Sequence, residues 1–305
     1  IDRERQVVLQ EISQAEDTPD DFIHDLFTMN FWKGHPLALP IFGSVETVNR
    51  IDRDLLLSFM GERYRAGRIF IAAAGQVDHD KLVSDCERLF GKIPGDGRVE
   101  KITPPPENPI VINHEKELEQ MHICIGGPGL GQDSGLRYAS YVLNTALGGG
   151  MSSRLFQEVR EKRGRVYSIY SSMASYADCG YSIIYAGTNP EWLDEVLEVT
   201  LKEIRKVVRD GLKPDELARS KNQIKGNMLL GLEGTESRMN RLARNEIYFR
   251  REVPLEELAN GIDSVTQDQI VELAHTLFQP NKMAMALLGD LKGRQLGTDV
   301  FSELG

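Results

Sequence analysis

Residues 54–78 read DLLLSFMGERYRAGRIFIAAAGQVD and residues 268–292 read DQIVELAHTLFQPNKMAMALLGDLK. In each, a pattern of apolar residues at helical spacing gives way to a turn carrying Gly67 or Pro280. A basic residue follows (Arg68, Lys282), and an apolar run of strand length closes on Gly75 or Gly289. Asp54 to Gly75 is as long as Asp268 to Gly289, and the two stretches stand 214 residues apart (268 minus 54). They are read as an internal repeat, against the alternative of generic helix-turn-strand similarity.

Beyond the first of these stretches, five of the thirteen prolines fall in PGDGRVEKITPPPENP, between Pro94 and Pro109, where neither helix nor central strand can form. This places a linker at 96–108, between a first domain at 1–95 and a second at 109–305. Helices are expected over Asp54–Arg63, Asp78–Phe90, Gly135–Leu147, Glu191–Arg209 and Pro214–Leu232. Strands are expected over Arg68–Val77, Met121–Gly126, Val166–Tyr176 and Tyr181–Gly187. The fold class is α+β: two duplicated domains, each a mainly antiparallel sheet packed with helices. If the offset holds throughout, the first copy began about 105 positions before Ile1, and the first domain is expected to be truncated in its N-terminal half.

A formal charge of −10 and a pI of 5.2 repel a polyphosphate backbone, and no basic cluster is interleaved with aromatics, so nucleic acid is excluded as a partner. No run approaches the roughly 18–20 apolar residues that cross a bilayer. Cys86, Cys124 and Cys179 are odd in number and widely spaced, which points to buried free thiols; with the true amino terminus expected to be missing, localisation rests on these thiols alone, which favour a reducing, cytoplasmic setting.

In DRERQVVLQEISQAED, residues 4, 7, 8, 11 and 15 fall on one helical stripe, and Val7, Val8 and Ala15 suggest that the stripe faces inward. Glu4 and Glu11 would share that face, two turns or about 10.5 Å apart. Inward carboxylates require a cation or strong donors. Either a metal and a metal-bound imidazole meet that need, or Arg and Lys partners do.

In LGGGMSSRLFQEVREKRGRVYSIYS (147–171), three glycines form a turn and Ser152 or Ser153 caps a helix. Lys162 and Arg163 complement the helix end, and Gly164 stops it before a strand from Val166. No G-K-[ST] follows, so a phosphate loop is rejected. His24 and His35 are read as structural, His35 in a turn before Pro36, and His114 and His122 as flanking a hairpin-like segment.

The runs ERQVVLQEI, PDDFIHDLF and HPLALPIFG, together with the 147–171 stretch, resemble zinc peptidases of the pitrilysin (insulinase) type. The resemblance implies that Glu11 is the third zinc ligand and that Glu4 supports a metal-bound histidine. It also implies that Arg160 and Tyr167 hold the substrate main chain and the oxyanion. None of the six histidines lies in the family's H-x-x-E-H motif, so this stretch by itself is expected to bind no zinc and to be inactive. Arg165 and Val166, where the family carries small or apolar residues, are a departure. What the resemblance implies for the intact protein is an endopeptidase that cleaves peptides or unfolded proteins in an enclosed chamber, the peptide adding to a sheet edge. A homodimer or a pairing with a related subunit is also implied. The rival is a non-catalytic partner subunit, against which the retention of two inward carboxylates, Glu4 and Glu11, argues.

Overall fold

The computed structural model describes residues 1–95 and 103–304, so the expected linker at 96–108 lies partly outside the described residues. Contacts group the chain into two compact units that are not continuous in sequence. The first gathers 1–12, 42–103 and 227–255, and the second 13–41, 104–226 and 256–305. Residues 13–41 and 227–255 are therefore grouped otherwise than a division at 96–108 would place them.

The elements in order are α1 (Asp2–Glu16), α2 (Pro19–Phe31), α3 (Val45–Arg50), α4 (Arg53–Arg63), α5 (His79–Phe90), β1 (Val111–Glu115), β2 (Met121–Gly129) and α6 (Arg137–Gly148). They continue with β3 (Val166–Ser175), β4 (Gly180–Thr188), α7 (Leu193–Asp210), α8 (Pro214–Gly231), α9 (Thr235–Phe249), α10 (Leu255–Asp263), α11 (Gln267–Leu277) and β5 (Ala284–Gly289). Local chemistry sets many of the boundaries. Asp52 caps α4 by accepting from the Leu55 amide at 2.8 Å, Asp78 caps α5, and Thr266 with Gln269 forms a capping box at α11.

In the second unit five strands form one sheet in the order β1-β5-β2-β4-β3, antiparallel except for β1 beside β5. Alternation along the strands feeds two cores. Ile123, Ile125, Met285, Leu287, Ile184 and Ala186 face a core shared with α6, α7 and α11, while Cys124, Ala284, Ala286, Leu288, Ile183 and Tyr185 meet α2 through Ile23, Phe27 and Phe31. Gly126 permits that approach, because a Cβ there would stand 2.7 Å from Phe27 Cζ and 2.4 Å from the Ser182 carbonyl. The segment between His114 and His122 is not a hairpin. β5 inserts between β1 and β2, so that both histidines flank Leu288.

The repeat recurs in the backbone. Helices at 53–63 and 267–277, 3-10 turns at 66–68 and 280–282, and positive-φ glycines at 75 and 289 keep the same offset. The copies part at the strand. β5 lies between two neighbours, whereas residues 69–74 are assigned to no strand and leave Ile69, Phe70 and Ile71 38–50% exposed. The expected strand Arg68–Val77 therefore does not form, since a strand exists only through hydrogen bonds to a neighbour and the first unit has none among its described residues.

α2 seats on its sheet through neutral rings. His24 Nε2 and the Tyr170 hydroxyl lie 2.9 Å apart, as do His122 Nδ1 and the Tyr185 hydroxyl. Burial lowers the pKa of both histidines, against the opposing pull of Asp20, Asp21 and Asp25 on His24 and of Asp20 on His122. A depressed folded-state pKa means that the unfolded chain takes up the proton first. The stabilisation is complete above the ordinary histidine value of 6.5 and is lost as pH falls below it. The urea midpoint of this unit is expected to drop between about pH 7 and pH 5, and less steeply in His24→Phe/His122→Phe.

Candidate substrate-binding site

α1 turns the other way from the sequence reading. Ile12 is its one buried residue, Arg5, Val8 and Leu9 line the half-buried stripe beside it, and Glu4, Val7 and Glu11 are exposed. Arg5 decides this orientation by donating to the Val48 carbonyl at 3.4 Å and the Ile51 carbonyl at 2.5 Å. Exposed as they are, Glu4 and Glu11 carry no buried charge that would count against a non-catalytic subunit. Among the described residues no group of three or more His, Cys, Asp or Glu could hold a metal ion. Glu4 and Glu11 alone do not make a tetrahedral zinc site, so zinc held through Glu11 would need ligands from elsewhere in the complete protein.

Of the cysteines, Cys124 is buried and Cys86 and Cys179 are half-buried, all three as free thiols. His35 caps a 3-10 turn, its Nδ1 accepting from the Leu37 amide at 3.2 Å.

Arg160 and Tyr167 both lie in the second unit, and both stand on backbone irregularities. Residues Phe156–Glu161 form a π-turn, in which the Lys162 amide reaches back five residues to the Gln157 carbonyl at 3.0 Å. The turn keeps Leu155 and Val159 fully buried while Arg160 stands exposed. Single π-turns of this kind occur often at functional sites. Ser153 is buried without a partner for its hydroxyl, so neither it nor Ser152 supplies the expected cap.

β3 begins with a bulge. Val166 pairs with Thr188 and Ser168 with Gly187, so Tyr167 is an extra residue with no partner across the ladder. The bulge explains why Val166 and Ile169, three apart, enter the same core. It also turns Tyr167 outward, 57% exposed, at the start of an edge strand.

The link between the two irregularities is tied down. Gly164 takes φ +64°, and Glu158 accepts from Lys162 at 2.5 Å and from Arg163 at 3.1 Å. Those two hydrogen bonds hold the Glu158 carboxyl below the usual carboxylate range against the opposing effect of burial. Arg165, the departure noted in the sequence, pairs with Glu195 at 2.7 Å and lies over Trp192 at 4.9 Å, while Thr188 donates to the Arg165 carbonyl at 2.5 Å. Neither irregularity was read from the sequence, since both arise from accommodating one residue more than regular packing allows.

The model of the peptidase M16 inactive domain matches residues 50–224. An uncharacterized zinc protease of Streptomyces coelicolor is 37% identical over 97% of the chain and 66% of its own length, and YmxG of Bacillus subtilis, also called an uncharacterized zinc protease, is 37% identical over 94% and 70%. This chain belongs to the M16 peptidase family. The M16 assignment agrees with the pitrilysin-type resemblance read from the motifs. Solved structures share the fold: the M16 inactive domain from Pseudomonas fluorescens has a TM-score of 0.86 at 21% identity, covering 94% of this chain and 70% of its own. A chain of Complex III2 from Candida albicans has 0.90 at 21%, covering 99% and 74%. The M16 chain thus spans about two thirds of the length of its curated relatives, and among its described residues no helix is long and apolar enough to cross a membrane.

Proposed function

We propose that the protein carrying this chain is a zinc-dependent endopeptidase for unfolded peptides, in which Arg160 and Tyr167 hold the substrate main chain. One observation carries the reading: two exposed donors of different reach stand on a π-turn and a β-bulge within eight residues, at the start of an edge strand. The guanidinium offers a fixed fork of N–H groups and the phenol one O–H, which suits peptide carbonyls and the oxyanion formed when one is attacked. The names of the relatives support zinc dependence. Glu11 is proposed as one ligand and Glu4 as an outer partner, the remaining ligands lying outside the described residues. A cytoplasmic setting and an assembly of two such chains, or of this chain with a related subunit, belong to the same proposal.

The test is binding of a fluorescein-labelled unstructured peptide to the complete protein in chelator, where no cleavage intervenes. Arg160→Ala is expected to weaken binding roughly 10- to 100-fold and Tyr167→Phe about fivefold, the ordinary scale of a charged and a neutral hydrogen bond. Wild-type affinity in both variants would remove the main-chain role.

A further inference from the structure

We infer that Phe156 is a positioning residue that holds the Arg160 guanidinium ready for the substrate main chain, an inference that rests on the reading of Arg160 given above. The guanidinium carbon lies over the Phe156 ring, 5.0 Å from its centroid, and both residues belong to the same π-turn. An exposed arginine samples many rotamers, and a side chain that must meet a peptide carbonyl gains from being ordered beforehand.

The way it is ordered matters chemically. A carboxylate would order the side chain too, but by occupying the N–H fork that the substrate needs. Glu158, a carboxylate on the same turn, is already committed to Lys162 and Arg163. Among the described residues Arg160 makes no ion pair, so its donors remain unused. An aromatic face attracts the cation through its quadrupole while leaving the in-plane N–H groups free. Phe156 is itself half-buried, which gives the ring a fixed base. Leucine at 156 would keep much of the packing and lose that attraction. Tryptophan would keep it.

The experiment measures the dissociation constant of the same labelled peptide, in chelator, for the complete wild-type protein, Phe156→Leu, Phe156→Trp, Arg160→Ala and Phe156→Leu/Arg160→Ala, with a thermal melt of each. Phe156→Leu is expected to weaken binding about fivefold, with Phe156→Trp at or near wild type. In the Arg160→Ala background the Leu substitution should add nothing. A fivefold loss that persists in that background marks a purely structural residue and overturns the inference. So does wild-type affinity in Phe156→Leu beside weakened Arg160→Ala, which leaves the main-chain role of Arg160 standing. Wild-type affinity in Arg160→Ala overturns both readings together.

Discussion

In the complete protein, Glu11→Gln is expected to lose bound zinc and peptide hydrolysis together. An amide keeps the shape of the carboxylate but removes the charge that a divalent ion draws on, and a zinc site with three protein ligands does not survive the loss of one. The orientation of α1 makes the experiment clean. Arg5 and Ile12 hold the helix from its other side, so replacing an exposed carboxylate leaves the packing of α1 untouched. Glu4 lies on the same exposed stripe, and Glu4→Gln is expected to lower zinc affinity by about 10- to 100-fold, the scale of an outer partner. Metal content by atomic spectroscopy, with hydrolysis of an unfolded fluorogenic peptide in the same samples, decides the matter. Zinc retained in Glu11→Gln sinks the ligand assignment. No zinc and no hydrolysis in the wild type would favour a non-catalytic subunit.

Glu216→Ala should destabilise the second unit by about 3 kcal/mol, lowering its midpoint by roughly 6–12 °C. Arg154 donates to the Glu216 carboxylate at 2.9 and 2.6 Å and to the Gly211 carbonyl at 2.8 Å, with only 10% and 16% of the two side chains exposed. Removing the acid strands a nearly buried guanidinium, and this matters more than the attraction lost. Arg154→Met/Glu216→Leu is accordingly expected to recover much of the loss, and equal melting of Glu216→Ala and wild type would refute the account. Burial by itself would raise the Glu216 carboxyl, but Arg154 and the Lys213 amide hold it below its ordinary value of 4.5. The stability it contributes is therefore complete above that value and is lost as pH falls below it, a window separate from that of the histidines. The pair ties the start of α8 to Arg154, two residues before the π-turn.

Much of the architecture was legible in the sequence because it rests on short-range chemistry. Asp52, Asp78 and Thr266 start helices where they stand, and the apolar runs of β2 and β5 announce strands buried on both faces. The 214-residue offset is likewise a property of residue order. Arg160 and Tyr167 were found through their motif, and nothing in their spacing disclosed the backbone that presents them.

The orientation of α1 differs from the expected one because it is set at long range. Val7 and Val8 adjoin two possible stripes, and the one that faces inward is chosen by the Val48 and Ile51 carbonyls, more than forty residues away. Helical segments, the runs that seek burial and the repeat are all readable in residue order, since caps, periodicity and turns act over a few residues. Long-range contacts set the rest: β5 enters between β1 and β2, residues 69–74 form no strand, and a π-turn and a bulge expose Arg160 and Tyr167. Each of those outcomes depends on which distant groups are present to satisfy a hydrogen bond or fill a core, and no local pattern records that.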